Sequence, residues 1–181
     1  MTREEAYALV RHHVPNKNLQ KHMLAAEAVM AALAGHFNQD KEAWALAGLL
    51  HDLDYDKTVK NFKQHGILTA EMLKDSVLPE GVIQAIKSHP GHFPRESLMD
   101  HALYAADPVT GLIAAAALMH PKKKLKALDM DFIMRRFREK RFAAGADRDQ
   151  IASCDQLNLP LETFMEIALK AMQDIDKELG L

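Results

Sequence analysis

The stretch Leu49-Leu50-His51-Asp52-Leu53-Asp54-Tyr55-Asp56-Lys57 decides how this chain is read. An apolar run from Trp44 to Leu50 ends in a histidine and an aspartate, followed by two more carboxylates and a lysine. Buried charge is costly unless it is paired or bound to a metal. His51 and Asp52 are therefore read as adjacent metal ligands at the end of a buried helix. Adjacent helical residues point about 100° apart. The pair can meet one ion only in the groove between their directions, or where the helix ends.

Outward from this stretch, the pattern is helical. Thr2 with Glu5 forms a capping box that opens a first helix to about His12. Pro15-Asn16 breaks it. Leu19, Met23, Ala26, Met30 and Leu33 then recur at helical spacing, and Gly35 closes the second helix. Asp40 caps a third, from Lys41 to about Asp52, with Trp44, Ala47 and Leu50 on its inner face. Leu53 to Gln64 reads as irregular, His65 to Leu73 as helix, Pro79 to Ser88 as helix and His89 to Pro94 as loop. Ser97 caps the next helix through Tyr104. Pro108 should kink or restart it, because proline lacks the amide hydrogen and clashes with the preceding turn. Apolar helix continues to Met119, and Pro121 stops it. Asp147 with Gln150 opens a short helix. Phe164, Ile167, Ala168, Ala171, Met172, Ile175 and Leu179 form the stripe of the last one.

No strand alternation, internal repeat or low-complexity tract interrupts this pattern. The expected fold is an all-α, compact, single-domain helical bundle over residues 1–181. Its metal-site core covers about residues 15–120, with C-terminal helices over 121–181.

Composition sets the outer limits. Hydrophobic residues make up 48% of the chain and charged residues 27%, which fits a folded domain and not a disordered one. A net charge of -2 gives no general attraction to nucleic acid or to an anionic membrane, and neither is expected as a partner. Lys122 to Arg141 is locally basic, nine cations to three acids, and reads as a solvated face. The single Cys154 rules out an intramolecular disulfide and fits a reducing, cytoplasmic setting. The N-terminus lacks the apolar core of a signal peptide. The apolar run Gly111 to Met119 is too short to span a bilayer.

Ten histidines then have to be sorted. His22 precedes Ala26, Val29 and Leu33 at i+4, i+7 and i+11, which puts it on or beside a buried face. His51 shares a face with Trp44 and Ala47. Taken alone, His22 reads as a satisfied core histidine. With His51 and Asp52 it makes a three-ligand set suited to Fe, Mn, Zn, Co or Ni. His65 before Gly66, His89 before Pro90 and Asp107 before Pro108 sit at helix boundaries, where side chains can be aimed at a cleft. Asp107 could instead be an N-cap. His12, His13, His36, His92, His101 and His120 read as surface or structural.

The ordered set His22, His51-Asp52, His65, His89 and Asp107 resembles the HD-domain superfamily of metal-dependent phosphohydrolases. The runs Trp44-Ala45-Leu46-Ala47-Gly48-Leu49-Leu50-His51-Asp52-Leu53-Asp54-Tyr55 and Tyr104-Ala105-Ala106-Asp107-Pro108-Val109-Thr110-Gly111 are similar to its small stand-alone HDIG-type members. Asp54 stands where an HDIG motif has glycine. The resemblance implies one divalent transition-metal ion held by His22, His51, Asp52 and Asp107. It also implies a second ion on His65 and His89, with Asp52 bridging.

Such ions generate a nucleophilic water near neutral pH and polarise a phosphoryl oxygen. The implied reaction is hydrolysis of a phosphate ester or anhydride on a small, nucleotide-like substrate. Asp54 or Asp56 would orient the water or protonate the leaving oxygen, beside Asp52. Lys57, Lys60, Lys63 and Arg95 would hold phosphate. A catalytically silent metal or nucleotide sensor and a di-iron oxygenase of the same superfamily are the alternatives.

Overall fold

The chain is described as a computed structural model over residues 1–181. Its first four caps follow directly from local sequence. The Thr2–Glu5 capping box opens α1 (Arg3–His13), Asn16 caps α2 (Lys17–His36), and Asp40 caps α3 (Lys41–Leu50). Each side-chain oxygen accepts from amides that the first helical turn leaves unpaired. Ser97 does the same, again as a capping box with Asp100, for α7 (Leu98–Met119). Between α3 and α7 run α4 (Tyr55–Thr58), α5 (Ile67–Met72) and α6 (Val82–Ser88); a 3₁₀ turn at Phe62–Gln64 joins α4 to α5. After α7 come α8 (Met130–Arg138), α9 (Arg148–Ala152), α10 (Leu161–Asp174) and α11 (Asp176–Leu179). There is no strand, so the all-α reading holds.

The core is one continuous cluster, with Met23, Met30, Leu33, Leu49, Leu50, Leu103, Leu112 and Phe164 fully enclosed. The tightest helix pair within it is α2 against α3. Gly48 makes this possible: a Cβ there would lie 2.6 Å from the Ala26 carbonyl oxygen, inside any real contact distance. This close approach brings His22 on α2 to His51 at the end of α3.

Several boundaries differ from the sequence reading. Helix α3 stops at Leu50, and residues 51–54 form a turn that carries both His51 and Asp52. The segment expected to be irregular contains α4 and the 3₁₀ turn. Helix α5 begins only at Ile67. Gly66, at φ 77°, makes the sharp entry; a Cβ there would also strike the Ile86 carbonyl at 2.6 Å. Helix α6 starts at Val82, after Gly81 rather than at Pro79. The terminal stripe splits at Ile175 into α10 and α11.

The largest departure is α7. Pro108 lies inside it, yet the helix runs unbroken for 22 residues. Proline at 108 leaves the Tyr104 carbonyl without its i+4 donor. Gln150 on α9 replaces that donor: its side-chain amide gives a hydrogen bond to Tyr104 O at 2.8 Å. As folded, α7 is long and apolar enough to cross a bilayer, which corrects the expectation drawn from the short apolar run. Burial explains its apolarity: thirteen of its residues are enclosed by the bundle, so it serves as the central core helix.

Candidate metal centre

Both His51 and His89 sit just past the end of a helix, and both use the same local device. Helix C-termini leave carbonyls without donors. The Nδ1–H of His51 donates to Gly48 O at 2.8 Å, and that of His89 to Ile86 O at 2.6 Å, each three residues back. A carbonyl can only accept, so the proton on Nδ1 is fixed in both rings and Nε2 faces inward. His65 is set from outside: its Nδ1 donates to Asp54 Oδ1 at 2.7 Å. His22 Nδ1 lies 2.8 Å from Thr110 Oγ1, whose own hydroxyl donates to Asp107 O. Thr110 therefore accepts from His22.

All four imidazoles thus present Nε2 to one place. His22 and His51 approach through these atoms at 3.2 Å, and His65 and His89 at 3.1 Å. Asp52 lies between the pairs. Its Oδ1 is 3.2 Å from His65 Nε2, 3.5 Å from His51 Nε2 and 3.6 Å from His89 Nε2, while Oδ2 is 3.5 Å from His22 Nε2. Asp107 Oδ1 is 3.1 Å from His22 Nε2 and 3.8 Å from His51 Nε2. The six residues expected as ligands are therefore together, from α2, the α3 turn, the α5 entry, the end of α6 and α7.

The donor set fits a divalent transition metal. Donors about 2.1 Å from one ion lie about 3.0–3.4 Å apart in octahedral or tetrahedral geometry. The closest donor pairs fall in that interval. Two imidazole lone pairs at such range repel unless a proton or a metal ion lies between them. Two overlapping groups, His22–His51–Asp107 and His51–Asp52–His89, each have the proximity to hold an ion.

The electrostatics agree. Burial opposes a charge on His51, but Asp52 and Asp107 outweigh it and raise the imidazole to about 9. The same contest at His65, against Asp52 and Asp54, also ends at about 9. With Nδ1–H already committed, the added proton on each ring sits on Nε2, where a metal would. His89 moves the other way, because burial and the nearby His51 charge disfavour its protonation. Burial would raise Asp52 and Asp107; the imidazoles reverse this, and both carboxyls lie below the ordinary range.

The other expected site residues are placed elsewhere. Asp54 is fully buried behind His65, and its second oxygen accepts from the amides of Gly66 and Thr69, both at 2.9 Å. It orients His65 and is enclosed away from the cleft. This corrects its expected role as a water-orienting group. Asp56 and Lys57 are exposed on α4 and do not line the cleft; the Lys57 charge is felt instead by His13. Lys60, Lys63 and Arg95 do not line it either, and Arg95 lies over the Tyr104 ring at 3.8 Å. His92 lies outside the cluster, and its Nε2–H donates to Phe62 O at 2.7 Å. Cys154 is buried, and burial pushes its thiol up to about 11.

Sequence reasoning assigned no structural role to Thr110, Thr69, Gly48 or Gly66. It also missed the cleft wall. The centre opens to a cleft of about 610 Å³ bordered by Tyr55 and Phe62 and by Ala143, Gly145, Ala146 and Gln150. No lysine or arginine lines it.

A comparison with protein-family models matches the HD domain over residues 19–130, well over half of the chain. The chain belongs to the HD-domain family. That membership places it in a superfamily whose members are generally metal-dependent phosphohydrolases, and the clustered histidines and aspartates suit the divalent metals such domains bind. Among curated proteins, it is similar to a Ribonuclease Y from Desulfotalea psychrophila (strain LSv54 / DSM 12343), 26% identical over 136 residues. The match takes in 74% of this HD domain chain but only 26% of that relative's length. No solved structure matches it.

Proposed function

We propose that this HD domain hydrolyses a phosphate ester or anhydride on a small, nucleotide-like substrate. The observation that carries the reading is the convergence of four Nε2 atoms and two carboxylates, with each imidazole fixed by a partner on Nδ1. His22, His51, Asp52 and Asp107 would hold one divalent ion, and His65, His89 and the shared Asp52 a second. Bound there, the ions supply Lewis acidity toward a phosphoryl oxygen and lower the pKa of a water.

The chain's own groups have separate tasks. Gly48 O, Ile86 O, Asp54 and Thr110 hold the imidazoles in one tautomer and one orientation. Tyr55 and Phe62, both exposed and both beside His65, offer aromatic surface to a planar ring of the substrate. The lack of a cationic side chain in the cleft favours a substrate with few phosphates. A polynucleotide, the substrate type suggested by the ribonuclease relative's name, calls for cations tracking successive phosphates. Neither Asp56 nor Lys57 takes part.

The test is phosphate or nucleoside release from an aryl phosphate and a panel of nucleotides by the metal-loaded chain. Turnover that disappears in Asp52→Ala supports the reading. Tight nucleotide binding with no turnover would replace it with a sensing role. Substrate-dependent oxygen uptake by an iron-loaded chain would replace it with oxygenase chemistry.

A further inference from the structure

The loop between α8 and α9 is built around one guanidinium. Arg148 Nε donates to Phe137 O at 3.1 Å, Nη1 to Ala143 O at 2.9 Å and Ala146 O at 2.5 Å, and Nη2 to Phe142 O at 2.5 Å. The carbonyls of Arg136 and Glu139 lie further out, both 3.4 Å from Nη2. A guanidinium has five N–H donors in a fixed plane, and here they face backbone oxygens alone. No carboxylate forms an ion pair with it. A surface arginine has no need of such an arrangement, since water would satisfy both sides.

What the clasp holds is the cleft wall. Ala143, Gly145 and Ala146 border the space in front of His22, Asp52 and Asp107. Ala143 sits at φ 43°, a left-handed conformation that an alanine adopts at a cost and that its carbonyl's bond to Arg148 opposes losing. The clasp is also referenced to the metal centre. Gln150, two residues on, caps the carbonyl freed by Pro108, next to Asp107 on α7. Arg148 and Gln150 together tie the loop to the helix that presents a ligand.

We propose that Arg148 is a substrate-positioning residue: it fixes the 139–147 loop as the wall that receives the non-phosphate part of the substrate. The proposal rests on the hydrolase reading for its substrate. The clasp itself does not. The basic side chains of the segment are not the phosphate contacts, because Arg148 has no donor to spare and Arg138 and Lys140 line an adjoining pocket and not the cleft.

The experiment compares metal-loaded wild type, Arg148→Ala and Arg148→Lys. In Arg148→Ala, trypsin should cut after the exposed Lys140 or Arg141 about tenfold faster, as expected when a local closing equilibrium is weakened. KM for a nucleotide ester should rise about tenfold with kcat little changed, the pattern of lost ground-state positioning. Inhibition by inorganic phosphate and ions per chain should stay at wild-type values, since neither touches the wall. Arg148→Lys should be intermediate, and methylguanidinium should restore both KM and protection in Arg148→Ala. Unchanged protease rates would overturn the clasp. An unchanged KM with a freed loop, or a fall in metal content alongside KM, would overturn the positioning role. If wild type itself hydrolyses nothing, the hydrolase reading and the wall's substrate role fall together, while the protease rates still decide the clasp.

Discussion

Asp54 Oδ1 accepts a hydrogen bond from His65 Nδ1 at 2.7 Å, and the carboxylate's other oxygen accepts from two amides. An acidic residue at this point of the motif thus serves to aim the His65 ring at the cluster. Asp54→Ala removes all three bonds from a buried place. Unpaired buried groups cost about 1–3 kcal/mol each, and lost partners of metal-bound histidine lower metal affinity about 10–100-fold. Asp54→Ala should therefore weaken one ion's binding by that range and lower the melting temperature. A metal titration followed by thermal denaturation measures both. Unchanged affinity would show that His65 needs no such support.

Gly48 and Ala26 form the contact that sets the α2–α3 distance. A methyl at 48 would lie 2.6 Å from the Ala26 carbonyl, which is rigid helix backbone and cannot swing aside. Gly48→Ala should destabilise the fold by about 1–3 kcal/mol, the usual range for overpacking. It should also separate His22 from His51 and weaken metal binding. Denaturant unfolding with and without metal reads the two effects separately; a fully stable, fully metal-competent variant would contradict the contact.

Acid–base linkage gives a further expectation. His51 and His65 both stand at about 9 in the metal-free chain, above the ordinary 6.5. Their stabilising contribution is whole below 6.5 and is lost as pH rises through 9. Asp52 and Asp107 are held low, so their contribution is present above the ordinary carboxylate value and lost as pH falls below it. Metal must displace the imidazole protons, so affinity should keep climbing between pH 6.5 and 9, with proton release on binding. Calorimetry in buffers of different ionisation enthalpy detects that release. Affinity that levels off at pH 7 would contradict the raised values.

Asp56 and Lys57 are exposed and outside the cleft. Replacing either with alanine should change stability by no more than about 0.5 kcal/mol, as for ordinary surface sites. Phosphate release should stay at the wild-type rate. A large loss of turnover in either variant would return it to the catalytic group.

How much of this was legible in the sequence follows from what each feature depends on. Caps at Thr2, Asp40 and Ser97 are local, and periodicity marked the long helices, so the all-α bundle was readable. The six candidate ligands were identified by their order, and the geometry brings them together. Residues whose roles arise only after packing were not readable. Asp54 looked like a cleft carboxylate, because nothing local shows that His65 and the α5 entry fold back over it. Pro108 looked like a break, because its rescue comes from Gln150, more than forty residues away. The cleft's wall of alanine and glycine carries no chemical signature at all.

Most directly, elemental analysis should count ions per chain after metal loading and desalting. Two ions are expected in wild type, one in His89→Ala and none in Asp52→Ala, whose carboxylate lies between both histidine pairs. A wild-type chain that retains no ion, or an Asp52→Ala chain that retains both, would contradict a centre built on these six residues.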